Sequence, residues 1–297
     1  MIVREALRAG RRLIEAIGSD EAELEAELLL RHVLRLDRVH LYQRLHDRLT
    51  PGAERRYRRL LDRRLSHEPT PYILGRKEFF GLDFEVSPAA IIPRPETEVL
   101  VELALAFARE RFAGRDFTLA DIGAGCGAIA VAIAHELPNA RVIAIDVSKR
   151  ALALARRNAE RHGVAGRIDF RHGSLLAPLT AHPEPKPGGS RDSSRRADII
   201  AANLPYVRTA DWQRLPPEIR EHEPRSGLDG GPDGLRLVRR LLARAPAYLA
   251  PAGALFAEIG DDQGAAAIEA AQAAFPEAEI AVARDLTGRD RVLVIKR

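Results

Sequence analysis

The sequence predicts an α/β fold, with a mainly parallel sheet flanked by helices and a small helical domain ahead of it. Two observations support this prediction. From about residue 118, short apolar runs alternate with helical segments, and this alternation is typical of βαβ units. Residues 1 to about 65 have helical periodicity instead, with Leu41, Leu45 and Leu49 four residues apart.

The helical region contains two recognisable helix starts. Thr50 followed by Pro51 predicts a helix that begins at the proline, with the threonine as its cap. Ser19 or Asp20 followed by Glu23 suggests a capping box at the start of an earlier helix.

Residues 66–98 differ in character from the helical region. Prolines at 69, 71, 88, 93 and 95 and glycines at 75 and 81 interrupt helices, and short β-prone runs lie between them. We therefore expect a β-hairpin linker. The predicted division of the chain is a helical domain at 1–70, the linker at 71–98 and an α/β domain at 99–297.

The α/β region contains seven apolar runs that we interpret as strands. They are TLADIG (118–123), RVIAID (141–146), RIDFRHG (167–173), ADIIAAN (197–203), GALFAEIG (253–260), EIAVA (279–283) and RVLVIKR (291–297). Residues 180–197 contain three prolines and no apolar periodicity, and we expect a flexible surface loop there.

Composition narrows the functional classes. The chain has 297 residues, a net charge of +4, 46% hydrophobic and 30% charged residues, which are ordinary globular values. Cys126 is the single cysteine, so an intrachain disulfide and a multi-cysteine metal site are excluded, and we expect no metal. The basic isoelectric point, about 9.5, keeps a polyanionic partner open as an alternative.

The first residues do not resemble a targeting segment. Arg4, Arg8, Arg11, Arg12 and Glu15 interrupt any apolar core that a secretory signal would need. No stretch reaches the roughly 18 apolar residues of a membrane span. We expect a cytoplasmic protein without a membrane partner.

A glycine-rich loop follows the first strand of the α/β region. It consists of Gly123, Ala124, Gly125, Cys126 and Gly127. Glycines at this junction let backbone amides approach a polar or anionic ligand at a helix N-terminus. Cys126 is most simply interpreted as a small residue that fills the loop.

The second strand ends in Asp146, whose carboxylate can accept hydrogen bonds from both hydroxyls of a ribose. The loop and this acid together indicate a nucleoside cofactor. Because NAD enzymes also combine these features, the two do not identify the cofactor.

The fourth strand leads into Asn203, Leu204, Pro205 and Tyr206. This motif resembles the [N/D/S]-P-P-[Y/F/W] signature of S-adenosylmethionine-dependent methyltransferases that modify nitrogen in a planar group. Such a nitrogen is a poor nucleophile because its lone pair is delocalised. The Asn203 and Leu204 carbonyls can hold its two N–H groups, and Tyr206 can stack on the flat group.

The whole set of motifs resembles the release-factor glutamine-N5 methyltransferase family (HemK type). The matching motifs are EP (68–69), YILG (72–75), FFG (79–81), IPRPETE (92–98), the glycine loop (123–127), Asp146, NLPY (203–206), EP (223–224), GG (230–231), DGL (233–235), EIG (258–260) with Gln263, and DL (285–286) with Gly288 and Arg291. Their order and spacing extend over nearly the whole chain outside 180–197.

The resemblance implies a seven-stranded, Rossmann-like class I methyltransferase domain behind a helical substrate-recognition domain. It implies S-adenosylmethionine as cofactor and peptide chain release factors as protein substrate, with nucleic acid involved only indirectly. The implied catalytic residues are those of the NLPY motif. The implied cofactor residues are the glycine loop, Asp146, Ser174, Leu175 and Asn203. We expect a monomer.

Two departures from the family pattern matter. Ser174 followed by Leu175 stands where the family commonly has an acidic residue, so any contact to the adenine amino group would be neutral. Leu204 replaces the usual proline, as in ribosomal RNA adenine dimethyltransferases, and an adenine-N6 methyltransferase remains the alternative. A binding module with an inactive site and a ribosomal-protein glutamine methyltransferase fit the intact motifs and RPETE less well.

Overall fold

The computed structural model describes residues 1–179 and 196–297. The loop predicted at 180–197 falls outside the described residues, apart from its last two. Of these, Ala197 already belongs to a strand and is buried, because its position begins the central strand that carries Asn203 at its end.

The described residues form eleven α-helices and eleven strands. The helices are α1 (Val3–Glu15), α2 (Ala22–Leu34), α3 (Arg38–Gln43), α4 (Pro51–Leu65), α5 (Thr70–Leu74), α6 (Thr97–Phe112), α7 (Ala128–Glu136), α8 (Lys149–Arg161), α9 (Pro217–His222), α10 (Arg236–Leu242) and α11 (Gly264–Ala274). The strands are β1 (Arg76–Phe79), β2 (Leu82–Glu85), β3 (Phe117–Ile122), β4 (Ala140–Asp146), β5 (Ile168–His172), β6 (Ala197–Ala202), β7 (Val207–Arg208), β8 (Asp229–Gly231), β9 (Leu249–Glu258), β10 (Glu279–Arg284) and β11 (Asp290–Lys296).

The chain divides into two compact units. The first contains Met1–Arg76 and Leu215–Glu223, and the second contains Lys77–Arg214 and Pro224–Arg297. The short helix α9 therefore belongs with the N-terminal helices although it lies far along the sequence. The domain boundaries at 70 and 98 stay a prediction.

The first unit is a helical cluster around α1, α2 and α4. Its core includes the fully buried side chains of Ile14, Leu29, Leu41 and Tyr57. The Tyr57 hydroxyl donates to the carbonyl of Ala26 at 3.1 Å, so the one polar atom of this aromatic side chain is satisfied within the core.

The two helix starts predicted in this region behave differently. Thr50 caps α4 as expected, because its hydroxyl accepts from the Ala53 N–H at 3.2 Å and Pro51 takes the first helical position. The capping box at Ser19 or Asp20 is wrong. Helix α2 is capped by Glu21 without a side-chain bond, and the Ser19 hydroxyl donates instead to Glu25 at 2.9 Å.

A partly buried ion pair stabilises the first unit. The guanidinium of Arg64 donates to Glu25, and the hydroxyls of Ser19 and Thr70 donate to the same carboxylate. Burial by itself would raise the pKa of Glu25, but these donors together hold that pKa below its usual value.

The second unit begins with a tight hairpin. Strands β1 and β2 are joined by Phe80 and Gly81, which have φ of 52° and 72°. Positive φ at both central residues matches the right-handed twist of the flanking strands. Phe79 and Phe84 then meet edge to face with their ring centroids 6.0 Å apart.

The main sheet has seven strands in the order β5-β4-β3-β6-β9-β11-β10. All neighbours pair in parallel except for β11, which is antiparallel to both β9 and β10. The predicted seven-stranded α/β fold is confirmed. A separate pair, β7 and β8, forms a small parallel sheet.

The sheet is covered on both faces. Ile200 and Leu255 belong to a core cluster with Val238 of α10 and Ala271 of α11. The next residue of β9, Phe256, points the other way and meets Phe107 of α6 at 6.1 Å. Burial on both faces explains why these strands read as continuous apolar runs.

The register aligns the carboxyl ends of the central strands. Ile122 of β3 pairs with Ile145 of β4 and with Ala202 of β6, and Ala202 pairs in turn with Ala257 of β9. The residues that follow these positions therefore emerge side by side at one edge of the sheet. In open α/β sheets ligands bind at this edge.

Among the described residues, none of the helices combines the length and apolar character that a membrane crossing requires.

We predict that the same substitution has opposite effects at two helical glycines of the first unit. A Cβ at Gly10 in α1 would overlap the Tyr57 hydroxyl, whereas a Cβ at Gly52 in α4 would have no neighbour closer than 3.6 Å. Gly10→Ala should destabilise the protein by about 1–3 kcal/mol through overpacking. Gly52→Ala should stabilise it by up to about 1 kcal/mol through helix propensity.

Thermal unfolding of both full-length variants beside the wild type checks this prediction. A higher melting temperature for Gly10→Ala would contradict the packing of Tyr57 against α1.

Candidate active site

A cavity of about 310 Å³ opens at the carboxyl edge of the main sheet. Its size lies at the lower end of the range for small-molecule sites. Eight of the twelve residues that we expected at the site line it, namely Gly123, Gly125, Asp146, Ser174, Leu175, Asn203, Leu204 and Pro205. The other four, Ala124, Cys126, Gly127 and Tyr206, lie within two residues of the lining along the chain but are not part of it.

The glycine loop is fixed to the neighbouring strand by its backbone. The N–H groups of Gly123 and Ala124 both donate to the Ile145 carbonyl, at 2.8 and 3.0 Å. Gly123 has φ of 82°, and a Cβ there would lie 3.1 Å from the Asn203 carbonyl oxygen. A side chain at this position would combine backbone strain with crowding against the NLPY motif.

The loop also passes close to helix α8. Gly127 has φ of 85°, and a Cβ there would lie 2.9 Å from the Cβ of Ala155. Such a distance requires a shift of the helix, so only glycine fits. The third glycine therefore serves close packing of the loop against α8, although it does not touch the cavity.

Asp146 is held by two backbone groups at the mouth of the cavity. Its Oδ2 accepts from the Gly125 N–H at 2.9 Å, and its Oδ1 accepts from the Ser148 N–H at 2.7 Å. Each carboxylate oxygen can accept more than one hydrogen bond. The side chain is therefore preorganised and retains capacity for two ligand hydroxyls.

Cys126 is structural rather than exposed to the cavity. Its side chain is buried, and burial raises the pKa of the thiol to about 12. Its carbonyl accepts from Asn158 Nδ2 at 2.9 Å, and Asn158 Oδ1 accepts from the Glu85 N–H at 2.7 Å. Asn158 thus ties the glycine loop to the hairpin.

Ser174 and Leu175 form the end of the cavity beyond β5. Ser174 is exposed, and its carbonyl accepts from the Ala177 N–H at 3.1 Å. Leu175 adopts φ of 50°, which is uncommon for a branched side chain, and directs that side chain into the core. The pair gives this end of the cavity a neutral polar atom above an apolar base.

Asp121 precedes the cavity-lining Ile122 in β3 and is a buried acid for which the sequence predicted no role. It is fully buried at the end of β3, and its Oδ2 accepts from the Ala130 N–H at 3.1 Å in the first turn of α7. Its Oδ1 has no hydrogen-bond partner among the described residues. Burial, and secondarily the charge of Asp146, raise the pKa of Asp121 to about 7.

The NLPY motif is anchored from two sides. Asn203 Nδ2 donates to the Thr97 hydroxyl at 3.0 Å, and Gln263 Nε2 donates to the Tyr206 carbonyl at 2.8 Å. Gly234 is required beside them, because a Cβ there would overlap both Gln263 and the Tyr206 carbonyl. Leu204 is buried and packs in the sheet core.

A buried acid lies beneath the motif. Glu258, at the end of β9, is fully buried and accepts from the Thr97 hydroxyl at 2.6 Å. Burial raises the pKa of Glu258, while Thr97, Tyr206 and the positive charge of Arg291 oppose that rise. Burial and the neighbouring Glu258 also raise the pKa of the Tyr206 phenol, which therefore stays neutral.

Thr97, Glu258 and Gln263 are thus site residues that sequence reasoning named only as parts of motifs. Their side chains contact the NLPY loop from α6, from β9 and from the turn after β9. Each is a buried polar residue in an otherwise apolar setting. A threonine after RPE and an acid at the end of an apolar strand were the available signals.

The residues of the cavity fit a nucleoside bearing an amino-acid tail. Asp146 offers oxygen acceptors for ribose hydroxyls. The glycines of the loop have no side chains, so a ligand can approach the backbone at the start of α7. Pro88, Ala90 and Ile91 form an apolar wall. Within the described parts of the chain, no group of three or more His, Cys, Asp or Glu side chains is arranged to hold a metal ion.

The chain is similar in sequence to known methyltransferases. Residues 5–75 match the model of the PrmC N-terminal domain, and residues 119–222 match a methyltransferase domain. The release factor glutamine methyltransferase of Moorella thermoacetica is 42% identical over all of this chain and 99% of its own length. The enzyme of Geobacter sulfurreducens is 44% identical over 88% of this chain and 85% of its own length. The enzyme of Cereibacter sphaeroides is 40% identical over 99% of this chain and 98% of its own length.

We predict that Asp121 gives the protein a pH-dependent stability. As pH rises, Asp121 loses its proton near pH 4 in the unfolded chain but only near pH 7 in the folded protein. Because the unfolded state binds fewer protons between these values, the free energy of unfolding falls from about pH 4 to about pH 7 and then levels off. Asp121→Asn cannot ionise and should escape this fall. Its melting temperature relative to the wild type should rise by roughly 2–4 °C or more between pH 5 and pH 8.

The matched control is Asp116→Asn, which changes an exposed aspartate just before β3. A pH-independent difference between Asp121→Asn and the wild type would mean that Asp121 does not titrate in this range.

Proposed function

Because this chain belongs to the family of release factor glutamine methyltransferases, we propose that it transfers the methyl group of S-adenosylmethionine to a glutamine of peptide chain release factors. The acceptor atom is the side-chain amide nitrogen (N5) of the glutamine in the Gly-Gly-Gln motif. Full-length similarity to such an enzyme, at 42% identity, carries the proposal. The arrangement of Asn203 and Leu204 at the cavity supports it.

The chemical difficulty lies in the acceptor. An amide nitrogen shares its lone pair with the neighbouring carbonyl and is therefore a weak nucleophile. When bound, S-adenosylmethionine supplies a methyl group attached to a positively charged sulfur. The protein has to place the nitrogen in line with that methyl group and favour the geometry in which the lone pair is available.

Asn203 and Leu204 provide two acceptors for the two amide hydrogens. Asn203 Nδ2 is occupied by Thr97, which leaves Oδ1 without a partner among the described residues, and Asn203 is one of the residues that line the cavity. The Leu204 carbonyl likewise accepts no hydrogen bond within 1–179 and 196–297. Since the role of residue 204 depends on its backbone, leucine can replace proline there.

The bonds and charges balance without a strong base in the protein. The substrate nitrogen forms a bond to the methyl carbon while the carbon–sulfur bond breaks and its electron pair stays on sulfur. The nitrogen then carries a positive charge and loses one proton to water. Asn203 and Leu204 stabilise this charge through their oxygen atoms, and Tyr206 stacks on the amide plane.

The cofactor residues follow from the same cavity. With the cofactor bound, Asp146 would hold the ribose hydroxyls, the loop at 123–127 the amino-acid end, and Ser174 with Leu175 the adenine. Ser174 would offer the adenine amino group a neutral contact, in contrast to an acidic residue.

The alternative is an adenine-N6 methyltransferase, which the NLPY form of the motif and the basic isoelectric point favour. An exocyclic adenine amino group also has two N–H bonds and a delocalised lone pair, so the same acceptors suit it. For a release-factor methyltransferase we expect a cytoplasmic location, a monomer and only indirect involvement of nucleic acid.

A labelling experiment tests the acceptor. The purified protein is incubated with methyl-labelled S-adenosylmethionine and, separately, with a release factor, the same factor with its Gly-Gly-Gln glutamine changed to alanine, ribosomal protein and RNA. We expect label only in the unaltered release factor. Label in RNA adenine alone would select the alternative, and equal labelling of both release factors would exclude this glutamine.

Two substitutions separate the acceptor half of the site from the cofactor half. Asn203→Ala should lower turnover by roughly 10²–10³-fold, which is typical for the loss of one preorganised contact, with little change in cofactor affinity. Asp146→Ala should instead weaken cofactor binding by calorimetry, because it removes charged hydrogen-bond acceptors worth about 1.5–3 kcal/mol each.

Asp116→Ala is the control for Asp146→Ala, and Leu204→Pro, which keeps the backbone carbonyl, should retain glutamine methylation. Near-normal turnover of Asn203→Ala on release factor would remove Asn203 from the mechanism.

A further inference from the structure

Three side chains from distant parts of the sequence form a chain of hydrogen bonds beneath the cavity. Asn203 Nδ2 donates to Thr97 Oγ1 at 3.0 Å, and Thr97 Oγ1 donates to Glu258 Oε2 at 2.6 Å. Thr97 is 3% exposed and Glu258 is not exposed at all. Water therefore has little access to the chain, and its members depend on one another for partners.

The chain has a direction. A hydroxyl has a single hydrogen, and a carboxylate oxygen can only accept. The hydrogen of Thr97 is therefore committed to Glu258, and the free lone pairs of Thr97 Oγ1 require a donor. The direction requires Glu258 to be ionised or to carry its hydrogen on Oε1, which has no hydrogen-bond partner among the described residues; a hydrogen on Oε2 would reverse the chain.

This direction decides which end of the Asn203 amide faces Thr97. The amide offers a donor group at Nδ2 and an acceptor at Oδ1, and the two differ little in shape. With Nδ2 toward Thr97, Nδ2 donates to the free lone pair of Thr97 Oγ1 while the Thr97 hydrogen stays on Glu258. With the amide rotated by 180°, Oδ1 would face an oxygen lone pair, and a buried acceptor would lose its partner.

We infer that Thr97 is a positioning residue for methyl transfer, which with Glu258 fixes the Asn203 amide so that its carbonyl oxygen is presented to the N–H of the acceptor nitrogen. The inference rests on the proposed function in that it gives Asn203 the task of holding an amide nitrogen. Thr97 itself does not touch the substrate. A rotated Asn203 would point its own N–H donors at an acceptor nitrogen whose hydrogens are also donors.

The fold makes this arrangement rigid. Glu258 and Asn203 follow the paired positions Ala257 and Ala202 of adjacent strands, and Thr97 is the first residue of α6, which packs on these two strands. Tyr206 and the positive charge of Arg291 also act on Glu258, since both oppose the rise of its pKa on burial. Each member of the chain thus belongs to a regular element or follows one directly, with little freedom to reorient.

The test compares Thr97→Val, which keeps the side-chain shape but lacks the hydroxyl, with Thr97→Ser, which keeps the hydroxyl. Thr97→Val should lower kcat by roughly 10²-fold, the loss expected for a misplaced contact, while S-adenosylmethionine affinity measured by calorimetry stays unchanged. Thr97→Ser should retain activity within a few fold of the wild type. Thr97→Ala replaces the valine variant if the latter does not fold.

A double-mutant cycle separates positioning from a general structural effect. If Thr97 acts through Asn203, adding Thr97→Val to Asn203→Ala should lower kcat no further than Asn203→Ala alone. If Thr97 acts only on the stability of the site, the two losses should multiply. Multiplied losses, or a Thr97→Ser variant as inactive as Thr97→Val, would overturn the inference.

A measurement without substrate provides a second criterion. The Asn203 side-chain amide signal in a ¹⁵N–¹H spectrum is assigned by its loss in Asn203→Ala. Its hydrogens should exchange slowly in the wild type and faster in Thr97→Val. Equal exchange rates would contradict the hydrogen bond to Thr97.

These outcomes are independent of the acceptor's identity. If the wild type methylates adenine and not release factor, the proposed function fails, while the same variants test Thr97 on the adenine amino group. If the wild type methylates release factor and the cycle is additive, the proposed function stands and the role of Thr97 is wrong.

Discussion

The parallel pairing of β3, β4, β6 and β9 is the constraint on which the site depends. Parallel strands end at the same edge, and the paired positions Ile122, Ile145, Ala202 and Ala257 bring four chain turns side by side. The glycine loop, Asp146, the NLPY motif and Glu258 each begin one residue later. A one-residue shift of register would turn the side chains to the other face, so the apolar packing that fixes the register also fixes the site.

Several polar side chains of the site are buried in the apolar interior, where each requires a hydrogen-bond partner. The Asp121 carboxylate accepts a hydrogen bond from an N–H in the first turn of α7, and the Glu258 carboxylate accepts one from the Thr97 hydroxyl. The Gln263 side chain donates to the Tyr206 carbonyl and accepts from the Gly260 N–H after β9. A buried polar group without such a partner would cost about 1–3 kcal/mol. The hydrogen-bonded partners offset this cost and also restrict the motion of the loops. Rigidity at the acceptor and cofactor halves of the cavity is therefore a consequence of satisfying buried groups.

The two halves of the site, which we propose hold the cofactor and the acceptor, depend on different kinds of contact. The cofactor half uses the backbone, since Gly123 and Gly127 allow close approach to Asn203 and to α8, and Asp146 is held by two N–H groups. The acceptor half uses side chains from α6 and β9 that reach the NLPY motif from below. The departures at Ser174 and Leu204 fall on positions where a hydroxyl or a backbone carbonyl can perform the task, which is consistent with membership of the family.

The sequence by itself determined the features that depend on neighbouring residues. Apolar runs predicted the seven strands, and Thr50 with Pro51 predicted the start of α4. The glycine loop, Asp146 and NLPY predicted six of the residues that line the cavity, namely Gly123, Gly125, Asp146, Asn203, Leu204 and Pro205. The local signal failed at Ser19, because a tertiary partner, Glu25, competes for its hydroxyl. Only the tertiary structure revealed the contacts of Thr97, which lies 106 residues from Asn203 and 161 from Glu258 in the chain. Such contacts follow from strand order and register, which no local pattern encodes.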